Sequence, residues 1–170
     1  MSSTLASLRE RNEAGANPPE AGLFVIYNFP DRDCSAKASD GELHLDENGL
    51  ERYKTEYIDP IVELAKEYSD IRLIFVYGIV HVLFFYESSC ENYLQIPSLE
   101  PDGLANLITN MEVEKCAGAA DAYIESTVYA LGELDLENVA IYIDGAHSGW
   151  TGCMLPPNTL ALVEKLANVP

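Results

Sequence analysis

The sequence predicts an α/β fold built on a parallel sheet. Three short apolar runs, rich in β-branched and aromatic residues, have the pattern of buried strands, and segments with helical periodicity separate them. Strands that alternate with helices are typical of βαβ units, which form a parallel sheet with right-handed crossovers. The 170 residues, 48% of them hydrophobic, are enough for one domain with a sizeable core.

The first third of the chain is predicted to contain one helix, one strand and a loop. A short polar helix covers Ser3–Arg11, and the mostly apolar run Leu23–Phe29 follows as a strand. Pro30 ends that strand, because proline cannot extend the hydrogen-bond ladder. The polar segment Asp31–Asn48 then indicates a long loop.

The middle of the chain is predicted to form an amphipathic helix and a second strand. The helix covers roughly Gly49–Tyr68, and Pro60 inside it is expected to cause a kink. Its apolar residues recur at helical spacing: Leu50, Tyr53, Tyr57, Ile61, Leu64 and Tyr68. The second strand covers Ile71–Val76.

The rest of the chain is predicted to contain three helices and a third strand. Gly103–Met111 is a short helix, Ala117–Leu131 a longer one, Val139–Ile143 the strand and Leu160–Ala167 the last helix. Gly132 stands where glycine favours a helix stop. The longer helix is expected to turn these residues inward: Tyr123, Ile124, Thr127, Val128 and Leu131.

The composition argues against several classes of partner. Ten basic and 28 acidic residues give a net charge of −18, which repels nucleic acid and anionic membranes and is compatible with neutral ligands such as sugars. The longest apolar stretch, Leu73–Tyr86, is short for a membrane span. The polar segment Met1–Asn12 shows no signal peptide. We therefore expect no nucleic-acid partner and no membrane association.

The cysteines do not have the spacing of a zinc site, and we expect no metal or other cofactor. One or two disulfides are compatible with the sequence, and pairing all four cysteines can be done in three ways. The four are Cys34, Cys90, Cys116 and Cys153.

An acidic residue follows each predicted strand. Asp31 and Asp33 follow the first strand, Asp102 the second and Asp144 the third. The carboxyl ends of parallel strands meet at one edge of a sheet, where α/β proteins carry out their chemistry. Paired carboxylates there indicate acid/base work on an uncharged substrate, namely the hydrolysis of a sugar bond. The alternative is that aspartates simply favour loops and helix N-caps.

The loop after the third strand adds two residue types that bind sugars. Trp150, the only tryptophan, stands beside glycine in a polar segment, which is typical of an exposed platform for a sugar ring. The alternative is that its indole packs against the loop. His147 has no second histidine or cysteine at ligand spacing, so a hydrogen bond to a sugar hydroxyl is favoured over a metal.

Four segments together resemble glycoside hydrolase family 6, the fungal cellobiohydrolase II enzymes and related endoglucanases. They are YNFPDRDCSAKASDGE at Tyr27–Glu42, EPDGLANLITN at Glu100–Asn110, Cys116, and YIDGAHSGW at Tyr142–Trp150. They occur in the order and in the structural positions of the family. The resemblance implies a secreted β-1,4-glucanase that inverts configuration and is built on a distorted parallel (β/α) barrel.

The resemblance also implies roles for residues of this chain. Asp102 is similar to the general acid that protonates the leaving glycosidic oxygen, and Asp33 to its partner, which keeps the pKa of the acid high and stabilises the oxocarbenium-like transition state. Tyr27 is similar to the residue that crowds the −1 sugar. Ser39 lies in what resembles the mobile loop that helps to hold the hydrolytic water. The other implied roles are sugar binding by Asp144 and His147, stacking by Trp150 and support of the acid's loop by Asn110.

The resemblance further implies a disulfide and an environment. Cys34 and Cys116 match a family disulfide that ties the first active-site loop to the helix after the acid, whereas Cys90 and Cys153 are expected to be free thiols. A disulfide indicates an oxidising compartment, so an extracellular monomer that acts on β-1,4-glucan is expected.

The chain also departs from the family pattern. We expect a single partial catalytic domain over residues 1–170, with a barrel that is incomplete at both ends. The family carboxylate often proposed as catalytic base is not supplied, so low activity is expected, and a catalytically inactive chain with at most weak glucan binding is the alternative.

A second departure is an insertion at about residues 76–95, between the second strand and Glu100. Because valine codons begin with GT and glutamine can be read as CAG, we hypothesise that it is a translated, unspliced intron. The alternative is a true surface insertion, although its apolar composition fits a surface loop poorly.

Overall fold

The computed structural model describes residues 1–34, 41–77, 107 and 110–143. The α-helices and strands are α1 (Ser2–Glu13), β1 (Gly22–Ile26), α2 (Gly49–Arg52), α3 (Asp59–Glu67), β2 (Leu73–Tyr77), α4 (Glu114–Glu133) and β3 (Val139–Ile143). A 3-10 turn at Leu45–Glu47 precedes α2, and a π-helical stretch at Tyr53–Ile58 joins α2 to α3. Of the two other predicted helices, Leu160–Ala167 lies outside the described residues and Gly103–Met111 lies mostly outside them.

The three strands form a parallel sheet in the order β1-β2-β3, which confirms the predicted α/β class. The third strand has its predicted bounds, and β2 is displaced to Leu73–Tyr77. The first strand ends at Ile26 rather than at Phe29. The chain leaves the ladder there because the Tyr27 N–H donates to the Tyr57 hydroxyl, at 3.1 Å, instead of to a neighbouring strand.

The core lies on one face of the sheet. Ile26, Leu73 and Phe75 are buried on that face beneath the helices. The opposite face carries Leu23 and Tyr142, which are 66% and 58% exposed. The alternation follows from the pleat, since successive side chains of a strand point to opposite faces.

The middle helix buries a different set of residues from the one that simple periodicity predicts. The irregularity expected at Pro60 takes the form of the π-helical stretch just before it. A π turn holds one residue more than an α turn, so it shifts the buried face by about one position. Ile58 and Val62 are consequently buried, whereas the predicted Tyr57 and Ile61 are only half-buried.

Helix α4 is longer than predicted at both ends. It continues through Gly132 to Glu133, so the expected stop at Gly132 is wrong, and that glycine lies in the last helical turn without a positive φ. Tyr123 and Thr127 are buried as predicted. The predicted Ile124, Val128 and Leu131 are only half-buried. Small residues form most of the buried face instead: Cys116, Ala119, Ala122, Ser126 and Ala130.

Asn138, just before β3, connects the helical layer to the sheet. Its side-chain amide donates to the carbonyl oxygens of Ala65, Tyr68 and Ile71, at 3.1, 3.3 and 3.2 Å. Its own carbonyl accepts the Leu73 N–H at 2.8 Å. Carbonyls at the C-terminal end of a helix lack partners within the helix, so this one side chain fixes where α3 ends and β2 begins. Among the described helices, none is long and apolar enough to cross a membrane.

Candidate active site

The segment Tyr27–Cys34 leaves the carboxyl end of β1 and holds a buried carboxylate. The Tyr27 hydroxyl donates to Asp33 Oδ1 at 2.5 Å, and Asp33 is only 2% exposed. The other oxygen, Oδ2, is buried too, and it has no hydrogen-bond partner among the described residues. Burial of a carboxylate costs free energy unless its oxygens form hydrogen bonds. A buried carboxylate with an unpaired oxygen therefore indicates a functional role.

Arg32 brings a positive charge to the same segment. Its guanidinium carbon lies 5.5 Å from the centre of the Tyr27 ring. Gly41 packs against its side chain so closely that a Cβ at position 41 would lie 2.9 Å from Arg32 Cγ. A side chain at position 41 would therefore force the Arg32 side chain to shift.

Asp31 stabilises the loop through contacts with residues 43–45. Its carboxylate Oδ1 accepts the Leu45 N–H at 3.4 Å and lies 3.4 Å from His44 Nδ1, and its own N–H donates to the Leu43 carbonyl at 2.9 Å. The Asp31 side chain therefore turns towards the 3-10 turn, as the alternative interpretation of these acids as loop residues predicts. The ordinary preference of aspartate for loops accounts for it.

A cluster of buried aromatic rings packs around Phe29 in the segment Tyr27–Cys34. Phe29, 3% exposed, stacks on Tyr123 with ring centres 4.6 Å apart and contacts Tyr77 edge-on at 5.4 Å and Tyr53 at 6.0 Å. The hydroxyls of Tyr53 and Tyr77 lie 2.5 Å apart. Burial raises the pKa of both phenols, so both stay protonated and act as neutral hydrogen-bonding groups.

The sequence predicted some members of this cluster only as core residues of their helices. Tyr53 and Tyr123 stand at inward helical positions, which is the one signal that the sequence offers. Their meeting with Phe29 depends on how the helices pack on the sheet.

A disulfide closes the segment at its far end. Cys34 is bonded to Cys116 in the first turn of α4, with Cα atoms 4.9 Å apart, and this confirms the pairing implied by the family resemblance. The bond joins positions separated by 82 residues. It fixes the residue next to Asp33 to a helix that also packs in the core.

The structure therefore brings together Tyr27, Asp33, Cys34 and Cys116. Asn110 lies in the turn before α4, where its carbonyl accepts the Val113 N–H at 2.9 Å. The remaining predicted site residues lie outside the described residues, as do the two other cysteines: Ser39, Asp102, Asp144, His147, Trp150, Cys90 and Cys153. Within the described ranges, no group of three or more metal-ligating side chains is gathered.

The chain is similar to curated fungal cellobiohydrolases. It is 49% identical over 169 residues to the 1,4-beta-D-glucan cellobiohydrolase CEL6A of Podospora anserina, covering 99% of this chain and 30% of that protein. It is 47% identical over 152 residues to the 1,4-beta-D-glucan cellobiohydrolase C of Emericella nidulans, covering 89% of this chain and 28% of that protein. The chain thus spans less than a third of the length of these relatives.

Solved structures agree with the fold. The catalytic core domain of the cellobiohydrolase Cel6A from Chaetomium thermophilum matches with a TM-score of 0.78 and 46% identity, over 99% of this chain and 40% of that one. Cellobiohydrolase II from Humicola insolens, in complex with glucose and cellotetraose, matches with a TM-score of 0.75 and 42% identity, over 97% of this chain and 39% of that one. The parallel sheet and its helices are thus part of an α/β barrel.

A family model assigns the chain. The model for Glycosyl hydrolases family 6 matches residues 1–78 and 89–170, and it leaves out residues 79–88. Together with the relatives and the solved structures, this match shows that the chain belongs to glycosyl hydrolase family 6.

Proposed function

We propose that this chain carries the proton-donor side of an active site that hydrolyses β-1,4-glucosidic bonds in cellulose or related β-glucans with inversion of configuration. The observation that carries the proposal is the Tyr27–Asp33 pair, a buried carboxylate held by a tyrosine hydroxyl at the carboxyl end of β1. The relatives support the substrate class, since they are named as glucan cellobiohydrolases, and one solved relative holds glucose and cellotetraose.

The proposed mechanism assigns different tasks to two carboxyl groups. Asp102 donates a proton to the leaving glycosidic oxygen. Asp33 keeps its negative charge near the sugar and stabilises the positive charge that develops at the anomeric carbon. Tyr27 occupies Asp33 Oδ1 and so leaves Oδ2 as the oxygen that faces the acid or the sugar. Two nearby carboxylates resist simultaneous ionisation, so Asp102 remains a proton donor near neutral pH.

The proposed substrate contacts surround this pair. Asp144 and His147 are assigned to sugar binding, and Ser39 to the loop that helps to hold the hydrolytic water. Trp150 is assigned to stacking and Asn110 to support of the acid's loop. A neutral polysaccharide suits a chain with a net charge of −18, which disfavours nucleic acid and anionic lipid. The Cys34–Cys116 disulfide supports an oxidising, extracellular environment, and we propose that the protein acts there as a monomer.

The proposal is tested by measuring binding and turnover separately. Calorimetry with cellotetraose measures binding, and release of cellobiose from phosphoric-acid-swollen cellulose measures turnover, with the anomer of the product read by NMR. We expect the α-anomer, and we expect Asp102→Asn to lower the rate about 10²- to 10⁴-fold, the usual contribution of a general acid, while cellotetraose still binds. Binding without release would contradict turnover by this chain, and absence of binding would contradict the substrate class.

We also propose that an insertion within residues 76–95 separates β2 from Asp102. The family match supports it, because residues 79–88 have no counterpart there. Val76 and Tyr77 belong to β2 and pair with both neighbouring strands, which supports a start of the insertion near the end of that strand. Transcript reads that cross these codons without a gap would contradict an intron origin.

A further inference from the structure

The backbone around Asp33 adopts a conformation that non-glycine residues rarely hold. Asp31 and Asp33 have φ values of 50° and 53°, both in the left-handed region. Aspartate tolerates that region better than most residues, but two such residues in a three-residue span persist only when neighbouring structure restrains them. The position of the Asp33 carboxylate therefore depends on what holds this loop.

Helix α4 holds the loop at two points, one on each side of Asp33. The Cys34–Cys116 disulfide fixes the C-terminal side. On the N-terminal side, the Tyr123 hydroxyl donates to the Asp31 carbonyl at 3.2 Å. Positions 116 and 123 are two helical turns apart, so they lie on the same face of α4, about 10 Å from each other along its axis.

The Tyr123 side chain is itself held in place. It is 1% exposed, and its ring stacks on Phe29 at an angle of 14°. One turn further along α4, Thr127 donates to the Tyr123 carbonyl at 2.8 Å. Phe29, on which Tyr123 stacks, also contacts Tyr77 at the end of β2 edge-on, with ring centres 5.4 Å apart. The Tyr123 hydroxyl is thus fixed relative to the carboxyl ends of both β1 and β2.

From this geometry we infer that Tyr123 is a positioning residue for Asp33. It acts through the Asp31 carbonyl, and with the disulfide it keeps the left-handed loop in the one conformation in which Asp33 Oδ1 meets the Tyr27 hydroxyl. The structural inference stands on these contacts alone, whereas its catalytic consequence rests on the proposed function.

The test compares two phenylalanine variants of the same helix. Tyr123→Phe keeps the ring stacked on Phe29 and removes only the hydroxyl. Tyr129→Phe is the matched control, since it removes the hydroxyl that donates to Asp59 at 2.6 Å, on the same helix but away from the loop. Each variant removes a tyrosine hydroxyl that donates a hydrogen bond from α4, so Tyr129→Phe shows how much of any effect comes from the loss of a hydroxyl on this helix.

Two measurements on the full chain report the loop without requiring activity. Hydrogen exchange of the Arg32 and Cys34 amides is expected to become about 2- to 10-fold faster in Tyr123→Phe, the size that one hydrogen bond gives, and to stay unchanged in Tyr129→Phe. The ¹³Cζ resonance of Tyr27, assigned by its loss in Tyr27→Phe, is expected to shift only in Tyr123→Phe. Equal effects of both variants, or no effect of Tyr123→Phe, would overturn the inference.

Turnover provides the third measurement and separates the two proposals. If the chain hydrolyses a soluble cello-oligosaccharide, Tyr123→Phe is expected to lower kcat several-fold with KM unchanged, because the carboxylate that it positions acts in the transition state. A lowered kcat with unchanged exchange and an unchanged Tyr27 resonance would contradict the positioning role. A wild-type chain without binding or turnover would contradict the proposed function, while exchange and NMR would still decide the role of Tyr123.

Discussion

Removal of the Cys34–Cys116 disulfide is expected to destabilise the protein by several kcal/mol. The bond joins residues 82 positions apart, and in the chain-entropy model a loop of that length stabilises the folded state by about 4.5 kcal/mol. Domains typically have a free energy of unfolding of about 5–15 kcal/mol, so the loss would be about three tenths of the total or more.

Two perturbations distinguish the effect of the cross-link on stability from the effect of the volume that its sulfur atoms fill. Cys34→Ala with Cys116→Ala removes both, and since the two residues are 5% and 0% exposed, small cavities add to the loss. Reduction of the disulfide removes the cross-link and keeps the sulfurs. Both are made in a background with Cys90→Ser and Cys153→Ser, so that thiol exchange cannot form other pairs.

Urea unfolding followed by circular dichroism measures the effect. With an m-value of about 1–3 kcal/mol per M, a loss of about 4.5 kcal/mol lowers the midpoint by about 1.5–4.5 M. The m-value itself should rise, because the unfolded chain without the cross-link exposes more surface. A loss below about 1 kcal/mol in the reduced protein would refute the reasoning, since the loop would then not restrict the unfolded chain.

Three further predictions follow from the contacts described. Phe29→Ala should lower the free energy of unfolding by about 3–5 kcal/mol in urea, because it empties the centre of the aromatic cluster; a loss below 1 kcal/mol would contradict that placement. The hydrogen bond to Asp59 raises the pKa of Tyr129 to about 12, so absorbance titration of Asp59→Asn should show a lower value, nearer 10. The pKa of Tyr129 is higher in the folded protein than in the unfolded chain, so its hydrogen bond to Asp59 stabilises the fold below pH 10 and ceases to do so as the pH rises towards 12. Urea unfolding measured at pH values between about 9 and 12 should show this loss of stability. Gly118→Ala should stabilise the protein by about 0.5–1 kcal/mol, because Gly118 lies in α4 with open space where the Cβ would go. Gly49→Ala should destabilise the protein, because its Cβ would lie 2.5 Å from the Leu43 carbonyl oxygen. A lower urea midpoint for Gly118→Ala than for Gly49→Ala would contradict both predictions.

Local patterns were sufficient wherever a single segment decided its own structure. The third strand has its predicted bounds, and the helices around Tyr53 and Tyr123 lie where apolar periodicity put them. The errors had two causes, a contact from another part of the chain and a glycine that the helix accommodates in its last turn. The first strand stops early because a tyrosine hydroxyl from the middle helix takes the N–H of Tyr27, and α4 continues past Gly132 because nothing in its neighbourhood requires a left-handed residue there.

Reading along the chain was enough to predict the α/β class, an acid after each strand and, through four motifs, the family. Strand alternation and motif order are local properties, so they can be read along the chain. The resemblance singled out Asp33, and the tertiary structure added the physical difference, because Asp31 bonds to the loop whereas Asp33 lies buried beside Tyr27. Only the tertiary structure showed the contact of Tyr123 with Asp31, across 92 residues. Such contacts depend on how the helices pack on the sheet, which brings together residues far apart in the sequence and cannot be deduced from the spacing of neighbouring residues.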